Sequence, residues 1–427
     1  MQTIRNDSLN TRNSRFFYGY WIALVAFFCA LVHAGCGFYA FSLFVTPLES
    51  EFGWGRGEIM LALTFFFFIS GLSAPVIGRL VDHYGSKIVM SLGALITGIG
   101  FILASRVNSL WFFYIGFIVA GLGMAGTGMV PATTVISNWF EKWRGTAMGI
   151  MSSGIGAGGV VLPPIVAYLI PNFGWRAAFV ALAVISWLII PLALWVIKTR
   201  PSDMGLYPDG RLEPDTKFEN GASPPEPQGL NLKMALSTST FWLIAVSFLA
   251  HGFSEVGVLQ TQVPYLEDAG FPKTTAANAF AVVGFFSLLG KFFFGWLCDR
   301  IQAKYACTLG LVVQLAGILI LMNVRPGSHM PMIWVYAVVI GLGVGSWLPA
   351  MSMLVSTNFG LISYGTIFGM ISFMQAMGVA IGPLMGGYVY DATGSYRLAF
   401  IIFIALYSVA IPTVLAARRP KWWREEI

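Results

Sequence analysis

Charge is scarce in this sequence: Asp, Glu, Lys and Arg make up 10% of the 427 residues. Soluble domains average about 25%. Hydrophobic residues account for 57% of the chain, and long polar stretches are rare. This composition excludes an ordinary soluble domain and predicts a protein whose helices cross a membrane several times.

Cysteine and histidine are also rare, with four of each. The cysteines at positions 29, 36, 298 and 307 form no Cys-x-x-Cys pair, so neither a disulfide nor a zinc site is expected. The histidines at 33, 83, 251 and 329 are too dispersed for a metal cluster or a nucleophile–base pair. We therefore expect no catalytic residues, no metal, no cofactor and no enzymatic activity.

A cleavable secretory signal is missing from the start of the chain, where the first fifteen residues are polar. Twelve later stretches are long and apolar enough to cross a bilayer as helices, the conformation that satisfies backbone polar groups in lipid. If the connections alternate between the two sides, most Lys and Arg residues fall on the side of the termini. The positive-inside rule then predicts a bacterial-type inner (plasma) membrane protein with both termini cytoplasmic. The net charge of +6 thus serves orientation and does not indicate nucleic-acid binding.

The sequence repeats itself between its two halves. Residues 78–87, GRLVDHYGSK, return 217 positions later as GWLCDRIQAK. Asn138, Gly145 and Thr146 return 220 positions later as Asn358, Gly365 and Thr366. Duplicated bundles that enclose a site at mid-membrane are the construction of alternating-access carriers. The repeat therefore predicts transport.

The predicted fold is an all-α membrane protein with 12 transmembrane helices arranged as two pseudo-symmetric six-helix bundles. The polar, Pro- and Gly-rich stretch in the middle predicts a flexible cytoplasmic linker between them. The predicted divisions are a tail at 1–16, a first bundle at 17–198, a linker at 199–237, a second bundle at 238–417 and a tail at 418–427.

These motifs resemble those of the major facilitator superfamily. The Gly-x-Leu-x-Asp-x-x-Gly-x-Lys pattern at 78–87, its echo at 295–304 and the Arg144-Gly145 turn carry the resemblance. It covers almost the whole chain and implies the major facilitator fold, but it says nothing about the substrate.

Within that superfamily the chain resembles the monocarboxylate transporters and their oxalate/formate-exchanging relatives. The matching segments are FYGYW at 17–21, PLESEFGW at 47–54, RPSDMGLYPDG at 200–210 and GKFFFG at 290–295. The resemblance implies that the position of Lys291, an arginine in these relatives, binds the substrate carboxylate. Eukaryotic members carry a lysine late in helix 1 where this chain has Tyr39.

The ionisable residues inside apolar helices are His33, His251, Glu255 and Lys291. Such groups are costly in lipid, so they face a cavity or pair with each other. Lys291 is predicted to hold one carboxylate near mid-membrane; the alternatives are an ammonium that reaches the interface or a permanent pair with Glu255.

Glu255 and His251, four residues apart on one helix face, are a candidate proton-coupling pair or only a neutralising partner for Lys291. Helix pseudo-symmetry puts His33 at nearly the depth of His251, either lining the cavity or as a structural polar group. Asn278, Ser287 and Tyr39 are further candidates for substrate contact. For each of these three the alternative is a hydrogen bond between helices.

A second set of charges lies at the predicted cytoplasmic helix ends. These residues are candidates for a gating lock that closes the inner face: Asp82, Arg79, Lys87, Arg144, Asp299 and Arg300.

The predicted function is secondary active transport of a small monocarboxylate resembling lactate or pyruvate across the plasma membrane, by alternating access and coupled to a proton. Its expected partners are this small organic anion, the proton and membrane lipid, with no nucleic acid, and the carrier is expected to be a monomer. The alternatives are an organic-anion exchanger of the oxalate/formate type, a drug exporter, and a substrate-sensing receptor on the same fold.

Overall fold

The computed structural model describes residues 17–210, 229–327 and 329–419. The predicted tail at 1–16, residues 211–228 of the predicted linker and residues 420–427 of the other tail lie outside the described residues. Within the described ranges, eleven continuous helices are long and apolar enough to cross a membrane. Ten of them are labelled here: α1 Gly19–Phe52, α2 Arg56–Tyr84, α3 Ser86–Ser105, α4 Leu110–Trp139, α7 Ser239–Asp268, α8 Lys273–Cys298, α9 Ala303–Met322, α10 Met330–Phe359, α11 Tyr364–Thr393 and α12 Arg397–Ala416.

The eleventh helical stretch, Arg144–Val196, is two membrane helices joined without a loop. At Gly174 the backbone turns to φ 83° and ψ 157°, a conformation that glycine adopts without a Cβ clash. We call the segments on either side α5 (144–173) and α6 (175–196). Gly394, at the equivalent corner between α11 and α12, also has a positive φ of 66°. The described residues therefore contain twelve membrane helices, as predicted.

The two halves are built by the same packing rules. In the first half α1 packs on α5, and α3 packs on α4 and α6; in the second half α7 packs on α11, and α9 packs on α10 and α12. This correspondence confirms the predicted all-α fold of two pseudo-symmetric six-helix bundles. We call the face where α2, α4, α6, α8, α10 and α12 end the linker side, and the opposite face the far side.

Two membrane helices are broken near their middle, at equivalent positions in the repeat. Helix α4 is interrupted at Gly128, between Leu110–Thr127 and Met129–Trp139. Helix α10 is interrupted at Gly345, 217 residues later. Helix α1 carries a π-helical turn at Gly35–Tyr39. Irregular backbone of this kind is tolerated at membrane depth only where protein or a polar cavity surrounds it.

The described parts of the linker attach to both halves at equivalent turns. In the first half, the Asp209 carboxylate accepts hydrogen bonds from the backbone N–H groups of Glu141 (3.2 Å) and Lys142 (2.7 Å). In the second half, the N–H of Leu230 donates to the carbonyl of Phe359 at 2.8 Å. The turn between α4 and α5 and the turn between α10 and α11 are thus both held by the linker.

Candidate functional site

Lys291 lies in α8 and is buried, with 6% of its surface exposed. The rise of the helix puts it about 12 Å from Asp299 at the linker-side end of α8. Its backbone packs closely on Gly149 of α5 and on Gly345 at the break of α10. Among the described residues, no hydrogen bond or ion pair within 4.0 Å engages its ammonium group. This arrangement gives a cation inside the bundle that can bind an anion.

His251 and Glu255 are in direct contact on one face of α7. Nε2 of His251 lies 2.8 Å from Oε2 of Glu255, and both side chains are buried, at 2% and 10% exposure. Glu255 is near enough to Lys291 to stabilise its positive charge. Its short contact, however, is with the histidine.

Two further residues, which the sequence analysis did not select, complete this buried polar group. Gln314 of α9 has its amide nitrogen 3.2 Å from Nε2 of His251. The same nitrogen donates to the carbonyl of Gly343 at 3.1 Å, and the hydroxyl of Tyr407 in α12 donates to the amide oxygen at 2.6 Å. The sequence does carry a signal for Gln314: polar side chains in a membrane need partners, so a glutamine inside a helix as apolar as α9 indicates a buried polar contact.

The remaining predicted contact residues lie at different depths. Ser287 is buried one turn from Lys291 on the same helix. Asn278 is exposed and, by helix rise, about 20 Å from Lys291. One short-chain acid is too small to touch both at once. Tyr39 lies in the π-helical turn of α1, with its ring against Gly159 of α5.

His33 packs within the first half. A methyl group at Gly128, the break of α4, would lie 3.0 Å from its ring. Its Nδ1 is buried without a hydrogen-bond partner among the described atoms, and the same holds for Nδ1 of His251. The two quasi-equivalent histidines therefore each present an unsatisfied ring nitrogen inside their own half.

On the linker side, the halves are joined by two copies of one interaction. The Asp82 carboxylate, at the end of α2, accepts hydrogen bonds from the N–H groups of Gly365 (2.8 Å) and Thr366 (2.7 Å) and from the Thr366 hydroxyl, in the first turn of α11. The second copy joins Asp299, at the end of α8, to the first turn of α5 and is related to the first by the repeat. A carboxylate at a helix N-terminus satisfies free N–H groups and the positive end of the helix dipole.

Burial raises the pKa of the Asp299 carboxyl, while its hydrogen bonds from Thr146 and Gly145 act in the opposite direction. Glycine allows the helices to approach: a Cβ at Gly78 would overlap the Gly365 carbonyl, and α8 meets the backbone of α5 in the same way. In this structure the protein is closed on the linker side.

The predicted gating cations surround these contacts without joining them. Arg144 is buried and donates to the carbonyls of Phe140 and Ser137, both at 2.9 Å. Arg300 lies over the ring of Trp296, 5.5 Å from its centroid. Arg79 is exposed and Lys87 half-buried, and no ion pair joins either to Asp82 among the described side chains. Among the residues predicted for gating, the two aspartates rather than the cations form the hydrogen bonds between the halves in the described part of the chain.

Two bundles related by a sequence repeat, closed on one side by duplicated contacts and holding a buried cation, define the class of membrane carriers. The family model of the Major Facilitator Superfamily matches residues 26–381 and 256–425. The chain belongs to this superfamily and is a multi-pass membrane transporter.

Individual relatives agree with this assignment. Monocarboxylate transporter 12 of Xenopus laevis is 28% identical over 347 residues, which are 78% of this chain and 74% of that protein. The uncharacterized MFS-type transporter YcxA of Bacillus subtilis (strain 168) is 22% identical over 408 residues, 91% of this chain and 93% of YcxA. These relatives are transporters, not enzymes, which confirms the predicted class and the resemblance to the monocarboxylate transporter branch.

A solved structure has the same fold. A crystal structure of the E. coli fucose:proton symporter FucP superposes with a TM-score of 0.72 at 15% identity, covering 95% of this chain and 100% of that chain. This similarity confirms the major facilitator fold.

Proposed function

We propose that the protein moves a small monocarboxylate together with a proton, by alternating access, and that Lys291 binds the carboxylate. The observation that carries the proposal is the buried ammonium of Lys291, which has no ion pair within 4.0 Å among the described residues. An ammonium acts as a point charge and suits a single carboxylate. The similarity to monocarboxylate transporter 12 supports this substrate class.

Proton coupling follows from charge balance around Lys291. When Glu255 is ionised, its carboxylate offsets the lysine charge, and a second anion gains little by binding. When Glu255 is protonated, the lysine charge is free to hold the substrate carboxylate. A loaded site then contains one cation and one anion, and moving it exposes no net charge to the low-dielectric interior. Binding of the proton and binding of the acid thus favour each other.

The orientation and location are part of the proposal. The excess of Lys and Arg on the linker side supports a plasma membrane of bacterial type with both termini cytoplasmic. The linker-side contacts of Asp82 and Asp299 then close the cytoplasmic entrance, and their release opens it. One chain supplies both bundles, which supports function as a monomer.

The test uses purified protein in liposomes and labelled short-chain acids. K291Q should abolish uptake, because the neutral amide cannot balance a carboxylate, while K291R should retain part of it. K233Q, which removes a lysine from an exposed position near the linker, is the matched control and should transport normally. Full uptake by K291Q would refute the site. An uptake rate that does not change with an imposed pH gradient, but increases when unlabelled acid is enclosed in the liposomes, would indicate an exchanger instead of a proton symporter.

A further inference from the structure

Gln314 of α9 is held in one orientation by its surroundings. The Gly343 carbonyl can only accept, so the Gln314 atom 3.1 Å from it must be the amide nitrogen. The amide oxygen then faces the Tyr407 hydroxyl at 2.6 Å. The second N–H of the same amide is left to point at Nε2 of His251, 3.2 Å away.

Nε2 of His251 therefore has two neighbours with opposite requirements, since Oε2 of Glu255 lies 2.8 Å away. A protonated Nε2 can donate to the Glu255 carboxylate, but its N–H then opposes the N–H of Gln314. An unprotonated Nε2 has one lone pair, which the N–H of Gln314 and the O–H of a protonated Glu255 share, and the neutral ring then carries its hydrogen on Nδ1, which has no partner among the described atoms. Turning the amide over would set its oxygen against the Gly343 carbonyl and lose that bond, which is costly for buried groups, whereas the Tyr407 hydroxyl can accept from the turned nitrogen.

We propose that Gln314, oriented by the Gly343 carbonyl, keeps Nε2 of His251 unprotonated and so places the exchangeable proton on Glu255. This inference rests on the proposed function, in which the His251–Glu255 pair carries the coupled proton. The other ionisable groups that face the pair are Lys291 on α8 and Tyr407 on α12. Helix α11, which packs on α7, has no Asp, Glu, Lys, Arg or His between 364 and 390.

The location of the proton decides whether Lys291 is available. With the proton on the carboxyl, Glu255 is neutral and the lysine charge can hold an anion. With the proton on the histidine ring, Glu255 keeps its negative charge and competes with the substrate for Lys291. Gln314 acts through His251 and is a positioning residue.

Infrared spectroscopy of the purified full-length protein tests the proposal by following the C=O stretch of protonated carboxyl groups as the pH changes. E255Q identifies the contribution of Glu255. Q314L removes the N–H that opposes protonation of Nε2, so Glu255 should lose its proton about one pH unit lower, a tenfold loss of proton affinity. Y407F leaves the Gly343 carbonyl to orient the amide and should therefore shift the titration less than Q314L does.

The double variant Q314L/Y407F removes both members of the Gln314–Tyr407 hydrogen bond, so no unpaired tyrosine hydroxyl is left in the core. It should show the shift to lower pH even if Q314L alone folds poorly. The matched control is Y336F, because Tyr336 donates to the side chain of Gln262 at 3.0 Å in the same bundle. That variant should leave the Glu255 titration unchanged.

An unchanged titration in Q314L and in the double variant, with the E255Q assignment intact, would overturn the role of Gln314 alone. If E255Q removes no titrating carboxyl signal, then Glu255 holds no proton, and the proton site of the proposed function fails as well. The two failures are therefore distinguishable in one set of spectra.

Discussion

Thr146 donates two hydrogen bonds to the carboxylate of Asp299, one from its backbone N–H at 2.7 Å and one from its hydroxyl at 2.6 Å. The two residues lie 153 positions apart and belong to different halves, so this contact exists only while the linker side is closed. Hydrogen bonds to a charged group are worth about 1.5–3 kcal/mol each. Their loss should shift the carrier toward the state that is open on the linker side.

The native Cys298 can report this opening. It is buried, with 3% of its surface exposed, and it lies against Gly145 at the α5–α8 contact. In a background with the other three cysteines replaced by serine, we expect D299N to increase the rate of maleimide labelling at Cys298 severalfold. K233Q is the control, since Lys233 is exposed and should leave the rate near its original value. Equal labelling in D299N and the parent would contradict a closing role for Asp299.

The close approach of α5 and α8 makes Gly149 intolerant of a side chain. An added Cβ would meet the backbone carbonyl of Lys291 at 2.5 Å, so the helices must separate. We expect G149A to lower the free energy of unfolding by about 1–3 kcal/mol, measured by thermal denaturation in detergent. G284A lies on the same α8 helix with nothing within 4 Å of the added atom, and it should be neutral or stabilising by about 0.5–1 kcal/mol. Equal melting temperatures for the two variants would argue against tight packing at Gly149.

Replacing Glu255 by glutamine fixes this side chain in a neutral state that resembles its protonated form. Lys291 should then always be free to bind an anion. E255Q is expected to exchange labelled for unlabelled acid across a liposome membrane at near-normal rates, because exchange needs no change in protonation. Net uptake driven by an acidic exterior should fall at least tenfold. Preserved proton-driven accumulation would show that the coupled proton binds elsewhere.

The ion pair of Glu51 and Arg176 provides a contrast to the contacts between halves. Nη1 of Arg176 lies 2.6 Å from Oε1 of Glu51, and the pair joins α1 to α6 within one bundle. Both side chains are about half exposed. Exposed pairs contribute roughly 0–1 kcal/mol. We expect E51Q to change the melting temperature little and to leave Cys298 labelling unaltered. A labelling increase like that of D299N would mean that far-side charges also control the linker side.

Sequence reasoning recovered the twelve-helix, two-bundle fold because hydropathy reports membrane crossing and the repeat reports symmetry. It selected Lys291, His251 and Glu255 because ionisable groups in lipid demand an explanation. It missed Gln314, since a neutral amide costs less in a membrane and draws less attention, and Tyr407, which is one aromatic among many. The hydrogen bond from the backbone N–H of Thr366 to the Asp82 carboxylate could not be predicted either. No local sequence pattern tells which distant N–H groups face a carboxylate.

The interruption of α10 at Gly345 divides that helix into an outer rod, 330–344, and an inner rod, 347–359, and Gly345 itself rests on the backbone of Lys291. An interrupted helix can bend at the break, so we expect the outer rod to move while the inner rod stays beside the linker. If the outer rod closes first, the carrier covers its substrate before the contacts of Asp82 and Asp299 break, and the two sides are never open together.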